Sequence, residues 1–427
     1  MKKIQVVRLI ILVLIAGLIG YYFGVNKVNF DWKNYKPSIQ IVNKEPPSSI
    51  PAADFSLFWT VWQKLESNYY DKTKLDPQKM VNGAIDGMVG SLQDPFTMYL
   101  PPVQNKNFKQ GLAGQFSGIG AELGIKDKQI IVIAPLDDSP AKKQGIKAGD
   151  VILKVDNVAT VGWTLAQTVE KIRGPKGTFV KLSILHKDSE DPLDVIIVRD
   201  TITVKSVVGS IKNIKNKKLN IKDGFDITDD ACDSCPKIVY IRLSQFGDGT
   251  NQDWLAVVNK LALEIKEKRN VKGMVFDLRN NPGGYLTDAV FISSEFLKVG
   301  TVVVREDNGQ KKDQLSVTRN GLFYDIPLVV LINKGSASAS EIVSGALRDE
   351  KRAKLVGETS FGKGTIQEAE DLGNNGAGLH VTIAKWLTPN DTWVNGNGLT
   401  PDIKVALDPK DPARDTQLEK AVEELLK

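Results

Sequence analysis

Residues 236–284 read PKIVYIRLSQFGDGTNQDWLAVVNKLALEIKEKRNVKGMVFDLRNNPGG. Ile238 to Leu243 is an apolar run of strand length. Trp254 to Lys268 repeats its apolar residues at helical spacing, and Val271 to Leu278 is a run of the buried-strand type. A Gly/Asn/Pro loop and a helix, Asp288 to Leu297, come next. The succession then repeats: Pro327 to Asn333 reads as a buried strand, Glu341 to Leu347 as a helix, Lys354 to Gly357 as a short strand, and Leu379 to Ile383 alternates like a strand. Strands alternating with helices predict an α/β domain with a largely parallel sheet. Asp415 to Leu426 reads as a terminal amphipathic helix, with Thr416-x-x-Glu419 as a capping box and Leu418, Val422 and Leu425 on one face.

Upstream the period changes. Residues 210–236 are rich in Lys, Asn and Asp and read as an insertion or hairpin. Between 107 and 203 short strands alternate with turns: 130–133, 151–155, 179–185 and 195–198, with a helix candidate from Thr164 to Ile172. Residues 54–106 are helical in pattern. Phe55, Phe58, Trp59, Trp62 and Leu65 follow Asp54 as N-cap, and Met80, Ala84, Ile85, Met88 and Val89 form a second stripe after Asp76-Pro77. Both stripes predict helix packing rather than a ligand surface. Residues 26–53 are polar, contain four prolines and read as a tether.

At the N-terminus Lys2, Lys3 and Arg8 precede Leu9 to Gly24, which carries no charge. With the flanking valines, about 20 residues are available to span a bilayer. The basic flank places the N-terminus inside and the rest outside. A cleaved signal peptide is the alternative; no A-x-A-like site follows, and Tyr21, Tyr22 and Phe23 suit an aromatic belt. Residues 1–25 are therefore expected to be a cytoplasmic tip and single-pass signal-anchor in the cell membrane, with the remaining domains extracytoplasmic, on the periplasmic side. Cys232 and Cys235, in C-D-S-C, fit a local disulfide there. A redox motif lacks a thioredoxin-like context, and a zinc half-site lacks a second ligand pair.

Composition narrows the function. Of 427 residues, 42% are hydrophobic and 25% charged, which is globular and not disordered. The net charge of +5 is too small and dispersed to imply nucleic acid binding. Two His and two Cys leave almost no basis for a His- or Cys-rich metal centre, and neither metal nor cofactor is expected. A catalytic histidine would have to be His186 or His380, both in poor contexts.

Three loops carry chemistry. Asp277 to Gly284 (DLRNNPGG) ends in paired glycines whose N–H groups can approach a ligand. Gly335 to Glu341 (GSASASE) lies between a buried strand and a helix, where an exposed serine would meet the helix N-terminus; simple capping by Ser338 or Ser340 is the plain alternative. Gly357 to Gln367 contains Lys363 between two glycines. With histidine scarce, a desolvated Lys363 is the remaining candidate base for a serine, and a solvated loop lysine is the alternative. In the middle region, Ser117 to Ala121 places glycines before a strand, a setting that can offer N–H groups to a terminal carboxylate.

These motifs carry a resemblance. SPAKKQGIKAGDVI (139–152) resembles the signature of PDZ domains in bacterial proteases. DLRNNPGG, GSASASEI and FGKGTIQ, in that order, resemble the carboxyl-terminal processing peptidases, also called tail-specific proteases. The likeness runs from about Phe55 to Val405 and includes SLQDPFTMYLPP (91–102) and NGNGLTPDI (395–403). It implies a multidomain α/β chain: a membrane helix at 1–25, a linker at 26–53, a helical domain at 54–106 and a PDZ domain at 107–203. A crotonase/ClpP-like serine protease core follows at 204–405, with the insertion 210–236, and then a C-terminal helix at 406–427. The resemblance also implies Ser338 as nucleophile, Lys363 as base, Gln367 as the residue orienting the lysine, and Gly283 or Gly284 with Ala339 as oxyanion donors. Gly118, Ile119, Gly120 and Ala121 would bind a substrate terminus. Arg173 would couple the PDZ domain to the core, unless it is a solvated turn residue. The expectation is a membrane-anchored serine endopeptidase that captures apolar protein C-termini and cleaves through a Ser/Lys acyl-enzyme. A catalytically inactive PDZ scaffold is the alternative. Its partners are protein or peptide substrates and the membrane, not nucleic acid, with a homo-oligomer or adaptor protein left open.

Overall fold

The computed structural model describes residues 54–427 except 127–128, 137–138, 148, 187–188, 217–224, 230–231, 233, 269, 374–375, 408–410 and 412–413, together with 13–17, 28–33 and 36–41. The expected membrane span lies largely outside the described residues; of it, 13–17 are helical. Among the described residues no helix is long and apolar enough to cross a membrane. The chain forms two compact units, residues 1–81 and 82–427.

In the first unit the expected tether contains an antiparallel hairpin, β1 (Val28–Lys33) with β2 (Lys36–Ile41). The strict alternation of V-N-F-D-W-K accounts for the strand. Helix α1 (Ser56–Asn68) starts where the Asp54 carboxylate accepts the Ser56 N–H at 2.8 Å. Its aromatic stripe does not form the expected core: Phe55, Trp59 and Leu65 stay exposed, and the rings pack on one another, Phe58 against Trp59 at 5.0 Å. Helix α2 (Pro77–Gly90) begins at Asp76, whose carboxylate accepts from the N–H groups of Gln78 and Lys79.

The second unit continues through β3 (Met98–Leu100), α3 (Pro102–Leu112) and β4 (Gln115–Gly118) into a small β-rich module. Its strands are β5 (Ala121–Lys126), β6 (Gln129–Pro135), β7 (Val151–Val155), β8 (Val158–Ala159), β9 (Phe179–Leu185) and β10 (Leu193–Val198), with α4 (Pro140–Lys143) and α5 (Leu165–Ile172). The sheet order is β10-β9-β7-β6-β5, so β5 is an edge strand. Ile130, Val132, Ile152, Leu182, Ile184 and Ile197 fill the module's core. Thr164 caps α5 in a capping box with Gln167. Strand β11 (Asp200–Thr203) returns to pair with β4.

The larger domain is built on the sheet β13-β12-β14-β15-β18-β19-β22. Here β12 is Val207–Asn216, β13 Phe225–Thr228, β14 Lys237–Leu243, β15 Val271–Asp277, β18 Leu328–Ile332, β19 Lys354–Gly357 and β22 Ile403–Lys404. From β14 to β22 all neighbours are parallel, as expected. Of the two readings of residues 210–236, insertion or hairpin, the hairpin is found: β12 and β13 pair antiparallel, and the pair extends this sheet. Ile211 and Ile214 of β12 are buried, and β12 and β13 form its antiparallel edge. Cys232 and Cys235 are disulfide-bonded between β13 and β14.

Both faces of the sheet are covered, which is why its strands read as unbroken apolar runs. Met274 and Phe276 meet α6 (Thr250–Glu267), α7 (Leu286–Ser293) and α8 (Ala339–Asp349). Val275, Val329 and Leu331 meet Ala421 and Val422 of α9 (Thr416–Leu426). The N-cap of α9 is Asp415, which accepts the Leu418 N–H at 2.9 Å, whereas the Thr416 hydroxyl donates to the Ala406 carbonyl instead of closing the expected box. A second, antiparallel sheet was not foreseen: β17 (Lys312–Ser316), β16 (Val302–Asp307), β21 (Ala377–Leu387) and β20 (Thr365–Leu372), with β3 added to β21.

Trp254 anchors the main core. It meets Phe276 at 5.3 Å and Phe296 at 5.8 Å, and its indole N–H donates to the buried Glu295 carboxylate. Trp254→Ala is expected to lower stability by about 3–5 kcal/mol, read as a lower urea midpoint at unchanged slope.

Candidate active site

Strand β18 delivers the chain to Asn333, and the loop to α8 is stitched to the loop after β15. Ser336 Oγ donates to the Leu278 carbonyl (2.8 Å), Ser340 Oγ to the Asn281 carbonyl (2.8 Å), and the Ala337 N–H to the same carbonyl (3.0 Å). Ser336 and Ser340 are fully buried, and their hydroxyls are used up in this stitching. Ser338 retains partial solvent access and takes φ 54°, ψ −116°, a conformation an L-residue adopts only under strain. This is the geometry of a serine held out on a sharp strand-to-helix turn. Of the three serines, Ser338 is the one whose hydroxyl takes no part in this stitching.

Glu341, in the first turn of α8, is fully buried and was missed by the sequence reading. One of its oxygens accepts from Ser360 Oγ (2.5 Å) and the Gly362 N–H (2.7 Å). The other accepts from the N–H groups of Ser338 (2.8 Å) and Lys363 (2.9 Å). Four donors and the positive end of the helix satisfy a charge that would otherwise be costly to bury. One carboxylate therefore binds the turn carrying Ser338 to the loop carrying Lys363. The sequence signal was available in the Ser338-x-x-Glu341 spacing, of which only the serine was considered, as a plain N-cap.

Partly buried, the Lys363 amine is pushed below the usual lysine range by desolvation, against the charges of Asp94 and Glu341, which raise it. Its Nζ lies 5.1 Å from the centre of the Phe96 ring and makes no hydrogen bond to Ser338. The loop backbone is fixed by tryptophans: Trp386 Nε1 donates to the Lys363 carbonyl and Trp393 Nε1 to that of Gly364. Gly362 has φ 90°, and a Cβ there would sit 2.7 Å from the Gly398 nitrogen, so the NGNGL stretch packs directly on this loop. Gln367 donates to the Thr365 and Thr382 hydroxyls at 2.8 and 3.1 Å and makes no hydrogen bond to Lys363.

The Gly-Gly loop reaches the same place. Asp277, fully buried, accepts from Tyr240 and Arg279, and Arg279 also bonds Asp415 and Gln417, fixing the turn after β15. A Cβ on Gly283 (φ 95°) would fall 2.8 Å from Ser338 Cβ and 2.9 Å from the Ala339 nitrogen. The Gly283 N–H is already donated to Asn281 Oδ1 (2.9 Å). Among the described residues, the N–H groups of Gly284 and Ala339 have no partner. Those two can serve an oxyanion.

In the small module, Ile119 is buried in the core, its carbonyl accepts from Ala141 and the carbonyl of Gly120 from Leu136. The N–H groups of Ile119 and Gly120 have no partner among the described residues, and both lie beside the open edge of β5. Gly118 ends β4 and Ala121 begins β5. Exposed Arg173 stands over the Phe116 ring at 5.1 Å, on a cleft of about 990 Å³ between α3, β4 and Ser244-Gln245 of the large domain. Among the described residues no group of three or more His, Cys, Asp or Glu is arranged to hold a metal ion.

Three family models match the chain: Peptidase family S41 over 237–405, PDZ domain over 107–185, and the activating protease CtpB N-terminal domain over 14–102. The carboxy-terminal-processing protease of Bartonella bacilliformis is 38% identical over 351 residues, covering 82% of this chain and 74% of that protein. The chain belongs to the S41 carboxy-terminal processing proteases. Carboxy-terminal processing protease CtpB of Bacillus subtilis is 32% identical over 394 residues, 92% of this peptidase and 75% of that protein. A solved structure assigned to family S41 from Bacteroides fragilis shares the fold, with a TM-score of 0.56 at 13% identity, covering 90% of this peptidase and 98% of that chain. The peptidase is thus a serine-type enzyme carrying a PDZ domain.

Glu341→Gln puts an NH2 group where only acceptors fit. It is expected to cut kcat about 10- to 100-fold with a small change in KM, and to cost about 1–3 kcal/mol of stability. Steady-state kinetics and a urea titration check both.

Proposed function

We propose that the peptidase captures apolar protein C-termini in its PDZ domain and cleaves the bound chain through Ser338 and Lys363. The observation that carries this reading is the convergence of the Ser338 and Lys363 N–H groups on one oxygen of Glu341. Neutral Lys363 takes the Ser338 proton as the hydroxyl oxygen attacks the scissile carbonyl. The tetrahedral oxyanion is met by the N–H groups of Gly284 and Ala339, each worth about 3–4 kcal/mol at such a site. Lys363 then returns the proton to the leaving amine, and water hydrolyses the ester, with Lys363 again accepting and releasing the proton. Gln367 acts on the lysine through its neighbours.

Substrate capture is supported by the edge position of β5 and the unpaired N–H groups of Ile119 and Gly120. An extended peptide can add to β5 while its carboxylate meets those N–H groups. Anchoring of the enzyme in the membrane through residues 1–25, with its catalytic domain outside, is supported by the basic flank and the uncharged run from Leu9 to Gly24.

Ser338→Ala and Lys363→Ala are each expected to abolish turnover of a protein with an apolar tail, while Ser336→Ala retains Ser338 labelling by a fluorophosphonate. Near-normal turnover in either of the first two, by product mass spectrometry, would refute the dyad. An inactive scaffold would show neither labelling nor cleavage. Amidating the C-terminus of a tail peptide is expected to weaken its binding at least tenfold by fluorescence anisotropy. Because the neutral amine is the active form, kcat/KM is expected to rise with pH along a limb below the ordinary lysine range and to be lost as pH falls through it.

A further inference from the structure

The SLQDPFTMYLPP stretch places the Phe96 ring beside the Lys363 amine, 5.1 Å from Nζ to the ring centre. Asp94 accepts the Phe96 N–H (3.0 Å) and the Thr97 hydroxyl (2.7 Å), folding residues 94–97 into a short strap. The strap is fastened to the second sheet at two points. The Thr382 N–H donates to Thr97 Oγ1 at 3.0 Å, and β3 pairs with β21 from Gly378 to His380. Thr382, which donates its N–H to Thr97 of the strap, also accepts from Gln367 at its hydroxyl. Gln367, which makes no hydrogen bond to Lys363, is thereby joined to the strap whose ring stands beside the amine.

We propose that Asp94 and Phe96 are positioning residues that hold the Lys363 amine as an ammonium ion at the Phe96 face, so that displacement of the strap is what releases the base to Ser338. The proposal rests on reading Lys363 as the base. The ring face attracts a cation and not a neutral amine, and Nζ stands over it at 5.1 Å with no bond to Ser338. The other charged or titratable groups around the amine do less to hold the ion. Glu341 has both oxygens committed to four donors. His380, on β21, is pushed below the usual histidine range by burial and by the lysine's own charge. Asp94 is the carboxylate that most strongly favours the ion, in opposition to the burial that favours the free amine. The strap also runs straight into α3 and from there into β4 of the PDZ domain. The far end of α3 is tied to the large domain by Gln245, which donates to the Gly111 carbonyl.

The test uses the full-length chain in detergent, with Asp94→Asn, Phe96→Leu and Phe96→Tyr. In a Ser338→Ala background, acetic anhydride labelling of Lys363 against pH, read by peptide mass spectrometry, gives the titration midpoint without reference to catalysis. Asp94→Asn and Phe96→Leu are expected to lower that midpoint and Phe96→Tyr to keep it. With Ser338 restored, the first two are expected to raise kcat/KM at pH 6.5 roughly three- to tenfold, the size of effect expected of a nearby charge. An unmoved midpoint, or a fall in kcat/KM at every pH in both variants, overturns the proposal even if Lys363→Ala is inactive. A lowered midpoint alongside an active Lys363→Ala enzyme instead overturns the Ser/Lys reading and leaves the strap's hold on the amine standing.

Discussion

A single buried carboxylate sets the geometry of this enzyme. Glu341 sits at the start of α8 with no cationic side chain bonded to it, and its charge is balanced by backbone and hydroxyl donors from two separate loops. Such a group is stable only when every lone pair is met, so the two loops have to arrive together or not at all. The turn carrying Ser338 and the loop carrying Lys363 are thus parts of one hydrogen-bonded unit, although more than 20 residues separate them in the chain.

The fold supplies that unit with rigid supports. Parallel strands β15 and β18 end side by side, which brings the DLRNNPGG loop and the GSASASE loop into contact at the same edge. The Asp277–Arg279–Asp415 network fixes the first of them and draws the C-terminal helix into the same construction. The second sheet supports the other side, since β20 and β21 carry Gln367, His380 and Thr382 toward the lysine.

Much of this was legible in the sequence because it rests on local pattern. The β-α-β period, the paired glycines and the strand-to-helix serines are all read over short windows. The parallel sheet followed from them, whereas the place of Gly283 or Gly284 beside Ser338 came only with the resemblance. What escaped depends on long-range pairing. Residues 210–216 are polar enough to look like an insertion, yet antiparallel pairing with β14 buries Ile211 and Ile214. The α1 stripe has ideal helical spacing, but spacing says nothing about whether a partner surface exists. Asp94 and Phe96 lie more than 260 residues from Lys363, and no motif links them.

Because Ser336 and Ser340 rivet their turn to the neighbouring loop, Ser338 and the N–H groups of Gly284 and Ala339 sit on one block that cannot be retuned separately. Adjustable parts remain only on the amine side. On the proposed reading, an electrophile reactive enough to acylate an unassisted serine would therefore find its docking geometry already formed while the amine is still held at the Phe96 face. One that depends on proton removal would discriminate between idle and working molecules. Selectivity between those two states is a matter of leaving-group chemistry more than of shape.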